Sequence, residues 1–545
     1  MNDVTPPRGD NENKHAKELD TAVVGAGFSG LYMLHRLRAM GLSTRVFEAA
    51  DGVGGTWYWN RYPGARCDSE SYYYAYSFST EIQQEWAWTC RYPEQPEILR
   101  YLNFVANKLD LRRDIQFSTR ITAAVFNEQT DRWDLETDSG ERVSAKFLIT
   151  AVGCLSAAQV PDIKGLENFQ GPWYHTGKWP HEGVDFTGKR VGIIGTGSSG
   201  IQSIPVIAGQ ADHLTVFQRT PNFSVPARNG PMTEEFQREV KANYDKITKK
   251  TRESAFGMPI DLAEKSALEV SPEERKRTYD ELWEIGGFRF LFESYNDLIF
   301  NREANDTAAE YVREKIRGIV KDPVTAEKLS PRSYPIGTKR PPIDTDYFET
   351  FNRDNVSLVD IKTSPIEEIT TKGVRTRDGE YQLDAIVFAT GFDAMTGALF
   401  NLGIRGRGGI ALKEKWADGP HTYLGVATAG FPNLFIITGP GSPSVLSNMP
   451  VSIEQHVEWI ADCIEYLRSN NKSSIEATED AEQAWVAHVN EVADATLFPQ
   501  ADSWYMGANV PHKPRVFMPY AGGVGAYRER CAEIASQGYE GFVTS

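Results

Sequence analysis

Two glycine-rich hexapeptides carry the chemistry-bearing pattern of this chain: Gly25-Ala26-Gly27-Phe28-Ser29-Gly30 and Gly195-Thr196-Gly197-Ser198-Ser199-Gly200. In each, the first two glycines allow a tight turn and close approach of the backbone to a pyrophosphate. The third lets helix and strand pack closely, and the helix N-terminus stabilises the phosphate charge. The two turns have opposite endings. Glu48 closes the strand after the first turn, where a carboxylate can hydrogen-bond a free ribose hydroxyl. Gln218 and Arg219 end the strand after the second, and a guanidinium suits a ribose carrying a phosphate. Lys339 is the natural second cation, although spacing alone does not bring it there. Together the turns suggest a flavoprotein fed by NADPH, with FAD on the first and NADP(H) on the second.

The elements that must position these turns are legible around them. Asp20 to Val24 reads as a strand, LYMLHRLRAM as a helix ending at Gly41, and STRVFEA as the next strand. In the second unit KRVGIIG, SSGIQSIPVIAGQ and HLTVFQR repeat the strand–helix–strand order. The segment GVGGTWYWNRYPGARCDSESYYYAYSF has no clear period and reads as a ligand-lining loop. PEQPEILRYLNFVANKLDL reads as an amphipathic helix, and Asp138-Ser139-Gly140 as a hairpin turn. The expected fold is α/β: two doubly wound dinucleotide-binding domains with a helical insertion in the second. The expected boundaries are 1–150 for the first part of the FAD domain and 151–229 for the linker and first part of the NADP domain. The helical insertion follows at 230–330, the rest of the NADP domain at 331–385, and the rest of the FAD domain at 386–545. Thr390-Gly391 ends an apolar strand and, paired with the first turn, supports FAD. Gly439-Pro440-Gly441-Ser442-Pro443 could cover the flavin ring, line a substrate pocket, or be a turn without a ligand.

Composition narrows the class. The 545 residues suffice for two or three cores, and 41% apolar with 24% charged residues is ordinary for a soluble globular protein. A formal net charge of −16 gives no support for nucleic-acid or anionic-membrane binding. Five scattered cysteines without a CxxC disfavour a disulfide scaffold, a structural zinc site and a dithiol flavin reductase, so no metal is expected. No apolar run is long enough to span a membrane, and the polar N-terminus reads as a loose tail without a signal-peptide core. A cytoplasmic protein is expected.

Phe169-Gln170-Gly171-Pro172-Trp173-Tyr174-His175-Thr176-Gly177-Lys178-Trp179-Pro180, between the two turns, matches the pattern FxGxxxHxxxW[P/D] at every fixed position. On this segment and the flanking turns the chain closely resembles the type I Baeyer–Villiger monooxygenases, from the first turn to the C-terminus. Related N-hydroxylating and microsomal-type flavin monooxygenases lack the Trp-Pro ending. The resemblance implies FAD, NADPH, and conversion of a small apolar ketone with O₂ to an ester or lactone through a flavin C4a-peroxide. It makes Arg340 the active-site arginine and Asp68 its carboxylate partner, and it pairs Lys339 with Arg219 at the nicotinamide cofactor's phosphate. Trp504 resembles a loop residue that contacts NADP. Tyr74 and Met449 match positions near FAD, and Ser444, Val445 and Leu446 match a substrate-lining loop. Gly55, Thr56, Trp57, Arg66, Cys67, Ile121 and Thr220 are counted with the cofactor-binding positions. His175 is implied to be structural or conformational, and Cys154 sits where family members differ. The rival activity is flavin-dependent N- or S-oxygenation of small apolar substrates. The sequence does not choose the ketone. It leaves the oligomeric state open between monomer, which the resemblance favours, and homodimer.

Overall fold

The structure is a computed structural model describing residues 17–545; the tail expected at the extreme N-terminus lies outside the described residues. Two sheets organise the chain. The first runs, in spatial order, through Ile404–Arg405, Ile121–Asn127, Arg132–Thr137, Arg142–Thr150, Lys17–Val24, Thr44–Phe47 and Ile115–Gln116, and Leu434–Ile436 also pairs with Arg142–Thr150. Lys17–Val24 is parallel to both Thr44–Phe47 and Arg142–Thr150, as a doubly wound unit requires. The second sheet is wholly parallel: Val356–Asp360, His213–Gln218, Arg190–Ile194, Ala385–Phe388 and Trp173–His175. Its central strands are buried along nearly their whole length, which is why they read as continuous apolar runs.

The sheets move one expected boundary. Ala385–Phe388 pairs with Arg190–Ile194 in the second sheet, so Thr390-Gly391 closes a strand of the second unit, not the first. The chain crosses back after this strand, over residues 389–395, rather than at 386. The glycine-rich strand end that belongs to the first sheet is the one after Leu434–Ile436. The two crossing segments run side by side: Asp393 N donates to Ala157 O at 2.8 Å, Met395 N to Cys154 O at 2.8 Å, and Gln159 N to Gly391 O at 3.0 Å.

Six helices occupy Glu234–Leu329. Their starts are set by side chains: Thr233, Ser271, Asn301 and Asp322 each accept backbone N–H groups of the first turn. Their apolar faces, including Tyr279, Trp283, Ala308, Val312 and Ile316, share one core with the second sheet. This is a helical insertion into the second unit, as the charged amphipathic pattern suggests. The helix Met449–Ser469 buries Ile453, Val457, Ile460, Ile464 and Leu467, spaced three or four apart, in the core of the first unit. Among the described residues, no helix is long and apolar enough to cross a membrane.

Candidate active site

Both glycine turns open into one cavity of about 910 Å³ between the two sheets and the C-terminal segment. The glycines are required by geometry. At Gly25, with φ of +104°, a Cβ would stand 2.5 Å from the carbonyl oxygen of Ala151, and at Gly30 it would stand 1.8 Å from that of Gly25. Gly195 and Gly200 repeat this arrangement in the second unit, at 2.4 Å from Ala389 O and 2.3 Å from Gly195 O. The helices Phe28–Ala39 and Ser198–Gln210 start at Gly27 and Gly197, and neither has a side-chain cap. Gly197 has no heavy atom within 4 Å of where a Cβ would project. At Gly27 a Cβ would instead stand 3.3 Å from Gly55 Cα, but both turns are uncapped helix N-termini bordering the cavity, which suits a pyrophosphate.

Glu48 lies beneath the first turn. Its carboxylate accepts N–H from Ala26 at 2.6 Å and from Ala50 at 2.8 Å. Burial pushes its carboxyl up, and those two N–H groups pull the other way. Glu48 and Ile121 do not border the cavity as it stands, nor do Gly25, Gly30 and Gly200, whose part is in the backbone turns.

On the second turn, Arg219, Thr220 and Lys339 line the same cavity, and one aromatic ring bridges the 119 positions from Thr220 to Lys339. Lys339 Nζ stands 4.5 Å over the Tyr334 ring, while the Tyr334 hydroxyl donates toward Pro221 O at 3.0 Å and Asn222 Oδ1 at 2.9 Å. Burial and the neighbouring Arg219 lower the Lys339 ammonium, and Asp502 opposes this. Among the described residues neither cation has an ion-pair partner, so both charges are free to meet an anionic group.

In the same cavity Arg340 and Asp68 form a two-pronged ion pair, Nε to Oδ2 at 2.6 Å and Nη2 to Oδ1 at 2.8 Å. Arg340 Nη1 also donates to Val445 O at 2.7 Å, and its guanidinium stands 5.1 Å from the Phe288 ring centre. Burial alone would disfavour the charge, but the Asp68 carboxylate more than offsets it and holds Arg340 charged. Both side chains keep about 22% exposure, so the pair faces the cavity rather than the core. The helical insertion positions the arginine. Asn305, fully buried on the helix Arg302–Ile319, donates to Leu298 O and Ile336 O and accepts from Ile336 N, fixing the loop that ends in Arg340.

Gly27, Phe28, Ser29, Gly55, Thr56, Trp57, Arg66, Cys67, Tyr74, Thr196, Gly197, Ser198, Ser199, Thr390, Gly391, Met449 and Trp504 also border this cavity, as does Gly195. Of the three expected substrate-loop residues, only Val445 does so. The Ser444 hydroxyl turns inward, 3.0 Å from Cys154 Sγ and 3.3 Å from Thr438 O. Leu446 packs into an apolar cluster with Cys154, Met395, Phe517 and Met518.

His175 accepts the N–H of Gly177 on Nδ1 at 3.0 Å, which leaves the proton on Nε2, 3.4 Å from the Thr390 hydroxyl. That hydroxyl donates to Gln159 O at 2.6 Å. Burial lowers the imidazole to about 4, so it is neutral at ordinary pH and ties the fingerprint segment to both crossing segments. Residues that sequence reasoning did not single out include Asn305, Tyr505, Asp502 and Asn509, the last two of which line the cavity. Burial pushes the Tyr505 phenol up to about 12, opposed by the Arg340 charge beside it.

Two uncapped helix starts on glycine turns, sharing one cavity with a charged arginine, define a protein of the two-dinucleotide class. Residues 17–226 match the family described as flavin-binding monooxygenase-like. A "Baeyer-Villiger monooxygenase" of Pseudooceanicola batsensis is 46% identical over 537 residues, covering 98% of both chains. A phenazine N-monooxygenase of Lysobacter antibioticus is 46% identical over 537 residues, again covering 98% of both. A solved structure described as oxidized steroid monooxygenase bound to NADP superposes with a TM-score of 0.93 at 54% identity, covering 97% of this chain and 99% of the other. The chain belongs to the flavin-binding monooxygenases, within their Baeyer–Villiger branch.

Proposed function

We propose that this protein converts apolar ketones to esters or lactones, using FAD, NADPH and O₂ at the cavity between the two sheets. The overall balance is ketone, O₂, NADPH and a proton giving ester, NADP⁺ and water. One observation carries the reading: the Arg340–Asp68 pair lies in the same cavity as both glycine turns.

Residues of the first turn, with Glu48, hold FAD, and those of the second, with Arg219 and Lys339, hold NADP(H). FAD held there would supply the electron transfer from NADPH to O₂, one atom of which enters the ester while the other leaves as water. The chain's own residues supply position and charge. Arg340 stabilises negative charge that develops on the ketone oxygen during attack. Asp68 fixes the guanidinium plane, and Val445 O anchors its third nitrogen. The segment 501–518 covers the cavity with Asp502, Ser503, Trp504, Asn509 and Pro511, keeping water from the reacting atoms. His175, neutral and with both ring nitrogens engaged by its neighbours, is a positioning residue.

The phenazine N-monooxygenase relative supports a second reading, oxygenation of an aromatic nitrogen in the same cavity. Incubation with NADPH under air, first with a ketone and then with an N-heteroarene, separates the two. Ester formation matching NADPH consumption supports the ketone reading. N-oxide from the heteroarene with no ester from any ketone replaces it. Every residue named above comes from one chain, which supports a monomer as the active form. The work belongs in the cytoplasm, where five unpaired cysteines stay reduced.

A further inference from the structure

Arg340 is gripped from two segments far apart in the chain. Asp68 takes its Nε and Nη2, and the Phe288 ring stands 5.1 Å from its guanidinium. Asp68 belongs to the loop that follows the first unit's opening strands, and Phe288 starts the short helix Arg289–Phe292 of the helical insertion. Glu70, two positions after Asp68, and Arg289, next to Phe288, join the two segments. Glu70 is buried, at 6% exposure. Its Oε1 accepts N–H from Arg91 Nη2 at 2.9 Å and stands 3.8 Å from Arg289 Nε.

The rest of the contact is built around this carboxylate. Arg91 Nη1 donates to Ile285 O at 2.7 Å, at the end of the helix Pro272–Ile285. The chain then turns so closely against the loop that a Cβ on Gly287 would stand 2.1 Å from the Tyr92 hydroxyl oxygen. On the other side, Ser71 N donates to Arg91 O at 2.7 Å and Cys67 N to Pro93 O at 3.0 Å, while Glu70 O accepts N–H from Tyr73 and Tyr74. Arg289 Nη1 donates to Glu293 at 2.6 Å, so Glu293 serves it locally and Glu70 ties it across. Burial works against both guanidinium charges, and the partners around them, Glu70 among them, hold them charged. Glu70, Arg91 and Arg289 do not border the cavity.

We infer that Glu70 is a positioning residue that fixes the separation of Asp68 and Phe288, and with it the plane in which Arg340 faces the cavity. It touches neither the cavity nor Arg340 and acts through the two segments that flank the guanidinium. Removing its charge leaves two guanidinium groups sharing one uncharged partner at a largely buried contact, which drives the segments apart. The inference rests on the proposed oxygenation only for what Arg340 then does.

The test uses the FAD-loaded protein labelled with ¹⁵N-arginine and reads the exchange of arginine Nε–H with solvent by NMR. The Arg340 signal is assigned by its absence from Arg340→Ala. Glu70→Gln and Arg289→Met, the second of which keeps the Arg91 bond, should each speed this exchange by roughly tenfold. Arg132 Nε–H, which donates to Ser144 Oγ at 2.8 Å in the first sheet, should not change. Arg289→Lys keeps the charge and should stay close to the parent. In turnover, Glu70→Gln should lower ester formation at saturating ketone by about tenfold, with KM for NADPH and anaerobic flavin reduction by NADPH unchanged. In the Arg340→Ala background the same change should alter the residual rate by less than about twofold. Unchanged Arg340 exchange in both variants, equal speeding at Arg132, or a further tenfold loss in Arg340→Ala would each overturn the role of Glu70. The exchange readout needs no ketone, so absence of ester from the parent would count against the oxygenation alone.

Discussion

Replacing Arg340 and Asp68 singly and together reads the site's logic. Arg340→Ala removes both hydrogen bonds to Asp68, the bond to Val445 O, and the positive charge facing the cavity. Loss of one preorganised partner for a developing oxyanion costs about 2.7–4 kcal/mol, roughly 10²–10³ in rate. Asp68→Ala leaves the arginine charged and still held by Val445 O and the Phe288 ring, so it loses orientation only. That costs about 1.5–3 kcal/mol, on the order of tenfold to a hundredfold. Because Asp68 acts through Arg340, the double variant should fall within about threefold of Arg340→Ala, not to the product of the two losses. The assay is ester formation with saturating ketone and NADPH, beside anaerobic bleaching of the flavin by NADPH. Both cradles are intact in every variant, so FAD should remain bound. Additive losses, or ketone oxygenation retained in Arg340→Ala, would refute the reasoning.

Arg219→Ala should weaken NADPH binding by roughly tenfold or more while barely changing NADH, measured as KM for each; equal weakening removes the phosphate assignment. Gly30→Ala should yield protein without flavin absorbance, since its Cβ would meet Gly25 O at 1.8 Å; full flavin content would contradict the turn geometry. Asp344 is buried, with its carboxyl hydrogen-bonded to Ser224 and Tyr347 and pushed up to about 7 by burial. Its folded form holds the proton more tightly than the unfolded chain, so it favours folding at low pH, and that contribution is lost as pH rises from about 4 to 7. Asp344→Asn should therefore raise Tm relative to the parent at pH 8 and change it least near pH 4; an equal change at both would contradict the burial argument.

Much of this site is written locally. Each glycine turn, its strand and its helix lie within one short stretch, so spacing alone shows where Glu48 and Arg219 stand. Other parts depend on contacts across long separations. Arg340 and Asp68 meet across 272 residues, and only the resemblance joined them beforehand. Asn305, which anchors the arginine loop, reads in sequence as one polar residue in a charged helix. Ser444 illustrates a different limit: its place in the loop is legible, but the direction of its hydroxyl depends on Cys154, 290 positions away in the chain, as well as on nearby Thr438. The strand Ala385–Phe388 was also legible as a strand. Its sheet was not, because an apolar run fits either parallel sheet and only pairing with Arg190–Ile194 decides.

The most direct test of the central claim is product analysis under ¹⁸O₂. The FAD-loaded protein is given NADPH and a panel of apolar ketones, and both NADPH consumed and product formed are counted. The account predicts an ester or lactone carrying one labelled oxygen, with product matching NADPH. Unchanged ketones beside an equivalent of hydrogen peroxide, or a product without label, would contradict it.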